Sequence, residues 1–125
     1  MPHFSDEDLA RFKLHAELCK VLTDPKRVML LHALCDTEHT VSELAELLGC
    51  SLPNVSQHLG VMRAAGFVDT RREGTAIYYR LAEPAIVDAC SIVDDIARRR
   101  LGQDRAPARP APVSAGATAA EPASA

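Results

Sequence analysis

In "CSLPNVSQHLGVMRAAGF", residues 50–67, polar side chains crowd into one short stretch: Ser51, Asn54, Ser56, Gln57 and His58. Side-chain amides present a donor and an acceptor together and hydroxyls serve as either, so the set suits hydrogen bonding to a flat polar edge. Arg63 lies within the same stretch, and Arg71 and Arg72 follow it, each able to hold an anionic oxygen. A second group combines imidazole and thiol. His15 and Cys19 stand four apart, His32 and Cys35 three apart, and Cys90 falls later. On a helix each pair shares a face, and such pairs suit Zn²⁺ or another thiolate-binding metal ion if a partner helix completes the set. The bland alternative is that Cys19, Cys35 and Cys90 are small core residues on apolar stripes.

The elements that must position these residues follow from periodicity and caps. Ser5 before "DEDL" predicts a helix N-terminus, with Leu9, Phe12, Ala16 and Cys19 as its apolar stripe. Thr23 or Asp24 caps a second helix begun by Pro25, with Val28, Leu31, Leu34 and Cys35 on its apolar face. Thr40 and Glu43 have capping-box spacing and Gly49 supplies a stop, giving a third helix of about two turns. Ser51 caps a fourth helix running to Gly66, so helices three and four form a helix-turn-helix. "FVDTRREGTAIYYRLAE" alternates instead, with Val68, Thr70, Ile77, Tyr79 and Leu81 on one side and Gly74 in the turn of a two-stranded hairpin. Pro84 opens a last helix with Ile86, Cys90, Val93, Ala97 and Leu101 as its stripe, ending near Gly102. The expected organisation is one mainly α domain over residues 1–102 and a disordered Ala/Pro-rich tail over 103–125.

Composition narrows the function. A chain of 125 residues that is 47% hydrophobic supports one core. No apolar run approaches the roughly 20 residues of a membrane span, and the acidic start lacks a signal-peptide core, so a cytoplasmic protein is expected. Four cysteines without a C-x-x-C pair fit free thiols in a reducing compartment. The net charge of -3 argues against a nonspecific polybasic binder, yet the local balance differs. Residues 1–50 hold five Lys/Arg and nine Asp/Glu, whereas residues 51–82 hold Arg63, Arg71, Arg72 and Arg80 against Asp69 and Glu73.

Turning the fourth helix by about 100° per residue places Leu52, Val55, Leu59 and Met62 on the core face. Pro53, Gln57, Gly60 and Ala64 point the opposite way, with Asn54 and Ser56 on the flanks and His58 nearer the core boundary. Gly60 costs about 1 kcal/mol of helix propensity relative to alanine, which suggests that something approaches this face closely. Double-stranded DNA fits. Small residues let a helix enter the major groove, Gln and Asn can pair with an adenine edge, and Ser51 at the helix N-terminus is placed for a phosphate. Arg71 and Arg72 beside the hairpin turn would then track the neighbouring backbone.

"ELCKVLTDPKRVMLLHALCD", "TVSELAELLGCSLPNVSQHLGVMRAAGFV" and "RREGTAIYYRL" resemble, in order and spacing, the ArsR/SmtB family of bacterial winged helix-turn-helix repressors. The resemblance covers about residues 9–101. It implies a homodimer built through the first and last helices, a palindromic operator, and release by an inducer ion or reactive small molecule. Two of the family's metal sites have no counterpart: "ELAELL" carries Ala45 and Leu47 where thiolates would stand, and Glu83-Pro84-Ala85 replaces an Asp-x-His. In the family's persulfide-sensing type, cysteines occupy the second and last helices. Cys35 and Cys90 lie in those helices but are offset, His32 and Arg98 taking the family positions. Cys19 and Cys90, both expected at the dimer interface, are the preferred thiol candidates, and Cys50 is expected to be the more exposed one in the turn. No phosphate loop, paired carboxylates or nucleophile elbow suggests an enzyme. The remaining alternatives are a winged-helix regulator without metal or thiol sensing and a winged-helix protein-interaction module.

Overall fold

In the computed structural model, which describes residues 3–103, five helices are joined by a small antiparallel sheet that packs on α3 and α4. The order is α1 (Asp6–Val21), α2 (Pro25–Ala33), β1 (His39–Thr40), α3 (Val41–Leu48), α4 (Leu52–Ala64), β2 (Val68–Glu73), β3 (Ala76–Leu81) and α5 (Ala85–Leu101). The expected tail beyond Gln103 lies outside the described residues. No helix among them is long and apolar enough to cross a membrane.

Capping sets the helix starts. Ser5 and Thr40 each form a full capping box, with Asp8 and Glu43 reaching back to the cap backbone. Between Thr23 and Asp24, Asp24 is the cap of α2: its Oδ1 accepts from the Lys26 N–H at 2.7 Å, and Pro25 follows at the first helical position.

The hairpin expected over residues 68–81 is present, with Val68 opposite Leu81, Thr70 opposite Tyr79, and Glu73 and Ala76 closing a two-residue turn at Gly74, φ 66°. A third strand joins it, His39–Thr40 pairing with Tyr79 and Tyr78 to give the order β1-β3-β2. Two residues are too few to show alternation. Thr40 takes extended dihedrals because it is also the N-cap of α3, so one conformation serves strand and cap together.

The core is built from the middle of the chain: Leu30, Leu31 and Leu34 of α2, Leu44 and Ala45 of α3, Val55, Leu59 and Met62 of α4, then Phe67, Val68 and Val87. Each of the larger side chains contributes about 1.5–3 kcal/mol by leaving water. The expected stripes of the outer helices fare differently: Leu9, Phe12 and Cys19 of the first and Val93 and Leu101 of the last stay exposed, whereas Ile86 and Cys90 pack half-buried against the core. Helix α1 has no buried residue and α5 only Val87. Leu9, Phe12, Ile92, Val93 and Ile96 all remain exposed.

Candidate nucleic-acid interface

The turn between α3 and α4 holds the recognition segment at a fixed angle. Gly49 adopts φ 69°, a left-handed conformation that glycine reaches without a Cβ penalty. The Cys50 N–H donates to the Ala45 carbonyl at 3.0 Å and the Gly49 N–H to Glu46 at 3.3 Å, closing the end of α3. Ser51 then caps α4, its Oγ accepting from the Asn54 N–H at 3.3 Å. That bond leaves the Ser51 hydroxyl proton free to donate outward.

Val55, Leu59 and Met62 are fully buried and clamp α4 to the domain. Leu52, expected on the same face, is 48% exposed. It is the first residue of α4, one turn before Val55, and a helical wheel gives direction but not how far neighbouring elements reach along the axis. Asn54, Ser56, Gln57, Gly60 and Ala64 are exposed together. The side chains of Asn54, Ser56 and Gln57 make no hydrogen bond among the described residues. A Cβ added at Gly60 would meet nothing within 4 Å, so packing does not require glycine there.

His58 turns inward instead. Its side chain is only 15% exposed, with Nε2 at 4.0 Å from Asp24 Oδ1 and Nδ1 at 3.3 Å from Arg27 Nη1. The structure places it as a buttress between α2 and α4 rather than on the open face.

The arginines divide into two kinds. Arg63 and Arg72 are exposed and make no ion pair among the described residues. Arg71 is held fast: Glu38 and Glu73 each accept from its guanidinium at 2.7 Å, and it stacks over Tyr78. Those hydrogen bonds, Glu38 first and Glu73 second, raise the Arg71 pKa above the ordinary arginine value. Sequence spacing places Glu73 near Arg71, but Glu38 lies 33 residues away and only the β1–β3 pairing brings it there.

The thiol and imidazole candidates are scattered. His15 and Cys19 line one apolar cavity of about 310 Å³ between α1 and α5, with Leu18, Phe67, Ile86 and Ala89. Cys19 is exposed, Cys35 and Cys90 are half-buried against the core, and the buried His32 Nε2 has no hydrogen-bond partner among the described residues. Burial raises the Cys90 pKa, and the nearby Cys19 raises it further. Cys50, expected to be exposed, is half-buried, its thiol 3.7 Å from the Leu48 carbonyl. Among the described residues no three His, Cys, Asp or Glu side chains assemble to hold a metal ion.

A short helical pair, the second helix carrying an open polar face and followed by a β-hairpin with an exposed arginine, defines a winged helix-turn-helix DNA-binding protein. The family described as "Bacterial regulatory protein, arsR family" matches residues 24–70. A biofilm growth-associated repressor from Xylella fastidiosa is 43% identical over 84 residues, which cover 66% of this chain and 74% of the relative. The crystal structure of the transcriptional repressor BigR from the same species is similar with a TM-score of 0.64 at 35% identity, covering 82% of this chain and 100% of that one. The homodimeric winged helix-turn-helix domain Mb0332 from Mycobacterium bovis gives a TM-score of 0.69 at 29% identity over 86% of this chain and 100% of its own. The chain belongs to the ArsR family of transcriptional repressors; it is a DNA-binding regulator and not an enzyme.

Proposed function

We propose that this repressor works as a homodimer on a palindromic operator and is released by a thiol-reactive inducer. The observation that carries the operator reading is the face of α4, where Asn54, Ser56 and Gln57 stand exposed and unengaged directly behind the buried Val55, Leu59 and Met62. Laid in a major groove about 12 Å wide, that face presents amides to base edges. Ser51, Arg63 and Arg72 are then available for phosphates on either side, which fixes the register of the helix. His58 acts behind the helix, and Arg71 reaches a phosphate only by leaving its carboxylates.

A second copy is supported by the apolar residues left in water on α1 and α5, Leu9 and Phe12 with Ile92, Val93 and Ile96. A twofold axis through that surface sets two α4 helices for half-sites about one DNA turn apart. The protein then works in the cytoplasm, where the chromosome is.

For the inducer, Cys19 is the candidate because it lines the cavity between α1 and α5 and has a second thiol, Cys90, beside it, so one reagent can meet both. A metal-ion inducer such as Zn²⁺ would need donors from the second copy to join His15 and Cys19, since the described residues of one protomer do not bring three together. The test is to select a tight duplex from a random library with the purified protein, then add Zn²⁺, arsenite or a persulfide donor. Steep loss of binding with salt and release by the persulfide donor support the proposal. Release by Zn²⁺ alone would transfer it to a metal, and no selected duplex would end the DNA reading.

A further inference from the structure

Glu38 stands between α2 and β1, yet its carboxylate closes on the wing. Arg71 Nη2 and Nε donate to Glu38 Oε1 at 2.7 and 3.0 Å, and Nε also reaches Oε2 at 3.3 Å. Arg71 Nη1 donates to Glu73 at 2.7 Å. Across the sheet, Arg80 Nε donates to Asp69 at 2.8 Å while its Nη1 lies 3.8 Å from Glu38 Oε2. Two of the three wing arginines are therefore covered by three carboxylates, and Arg72 has no carboxylate partner among the described residues.

The planar fork that Arg71 lays on Glu38 is the geometry a guanidinium also uses on a phosphate. The pair is not sealed, since the Arg71 side chain is 38% and the Glu38 side chain 27% exposed. We propose that Glu38 occupies on Arg71 the place of a DNA phosphate, so that the wing is self-neutralised in the free protein and closes on DNA by exchanging carboxylate for phosphate. This rests on the DNA-binding reading above. Its consequence is that Glu38 limits affinity for any duplex: each contact by Arg71 must first give up a charged partner. Nonspecific binding, which depends on phosphates alone, is reduced the most in proportion.

The experiment compares wild type, Glu38→Gln, Arg71→Gln and the double variant on the duplex selected by wild type, from low to moderate salt. Glutamine keeps an acceptor for Arg71 but removes the charge. Glu38→Gln is expected to bind about 3–10-fold tighter at low salt, with a salt slope steeper by about 0.9, the signature of one more phosphate contact. In the Arg71→Gln background the same change should alter affinity by less than twofold. Weaker binding by Glu38→Gln, or an equal gain in both backgrounds, would overturn the proposal in favour of a structural clamp or a general charge effect. Should Glu38→Gln fail to fold, Glu73→Gln is expected to give a smaller gain of the same sign, and no gain would count against the exchange. Elution from heparin reads the same comparison without DNA. Later elution of Glu38→Gln only when Arg71 is present supports masking even if wild type selects no duplex, a result that would fail the DNA reading alone.

Discussion

The Nδ1 of His58 lies 3.3 Å from Nη1 of Arg27, and Arg27 Nε donates in turn to the Val21 carbonyl at 2.6 Å. Guanidinium only donates, so Nδ1 is the acceptor and the other ring nitrogen faces Asp24. One side chain thus ties the end of α1 to the back of the recognition helix. Arg27→Ala should cost about 1–3 kcal/mol in urea unfolding followed by circular dichroism, because it leaves two half-buried acceptors without a donor. DNA affinity should fall as well, although Arg27 faces away from the open side of α4.

Acid should loosen the helix starts. Asp8 and Glu43 are held below the ordinary carboxylate range chiefly by the N–H groups of Ser5 and Thr40 that they cap. For Asp24 burial pushes upward, but the N–H groups of Lys26 and Arg27, and then the neighbouring His58 and Arg27 side chains, outweigh it. Groups depressed in the folded state stabilise it above the unfolded value, near pH 4, and that contribution is lost as pH falls through the folded value. The urea midpoint should therefore hold from pH 7 to about 5 and decline below about 4. Glu43→Gln should start lower and decline less.

The two kinds of DNA contact should separate in binding assays. Gln57→Ala should weaken the selected duplex by about 1–3 kcal/mol and relax base preference at one position per half-site. Arg72→Ala should weaken all duplexes alike and reduce the salt slope by about 1.

If a thiol receives the inducer, Cys19→Ser should bind DNA as wild type does yet no longer be released by the persulfide donor. Cys90→Ser should lose the response as well if the neighbouring thiols act together. Continued release of a variant lacking Cys19, Cys35, Cys50 and Cys90 would remove thiol chemistry from the account.

Most of this fold was readable from local signals, because caps, periodicity and glycine positions act over a few residues. Ser5, Thr40 and Ser51 mark their helices correctly, and the outward set of Asn54, Ser56 and Gln57 follows from the wheel alone. What escaped depends on distant partners. Arg71 looks like a free wing cation until the short β1 strand brings Glu38 beside it, and Leu52 looks buried until the reach of its neighbours is known. The stripe on α1 was legible as apolar, but nothing in its spacing says that its own domain leaves it in water.

That α1 gives its own core only the half-buried Leu18 and Val21 bears on how much of the protein the cell must make. If the outer helices are covered only in a pair, folding and pairing draw on one free energy, and mass action governs both. The melting temperature should then climb with protein concentration. At low abundance the chain would be exposed to proteolysis as well as being a weak repressor, so the number of copies would itself tune how firmly the operator is closed.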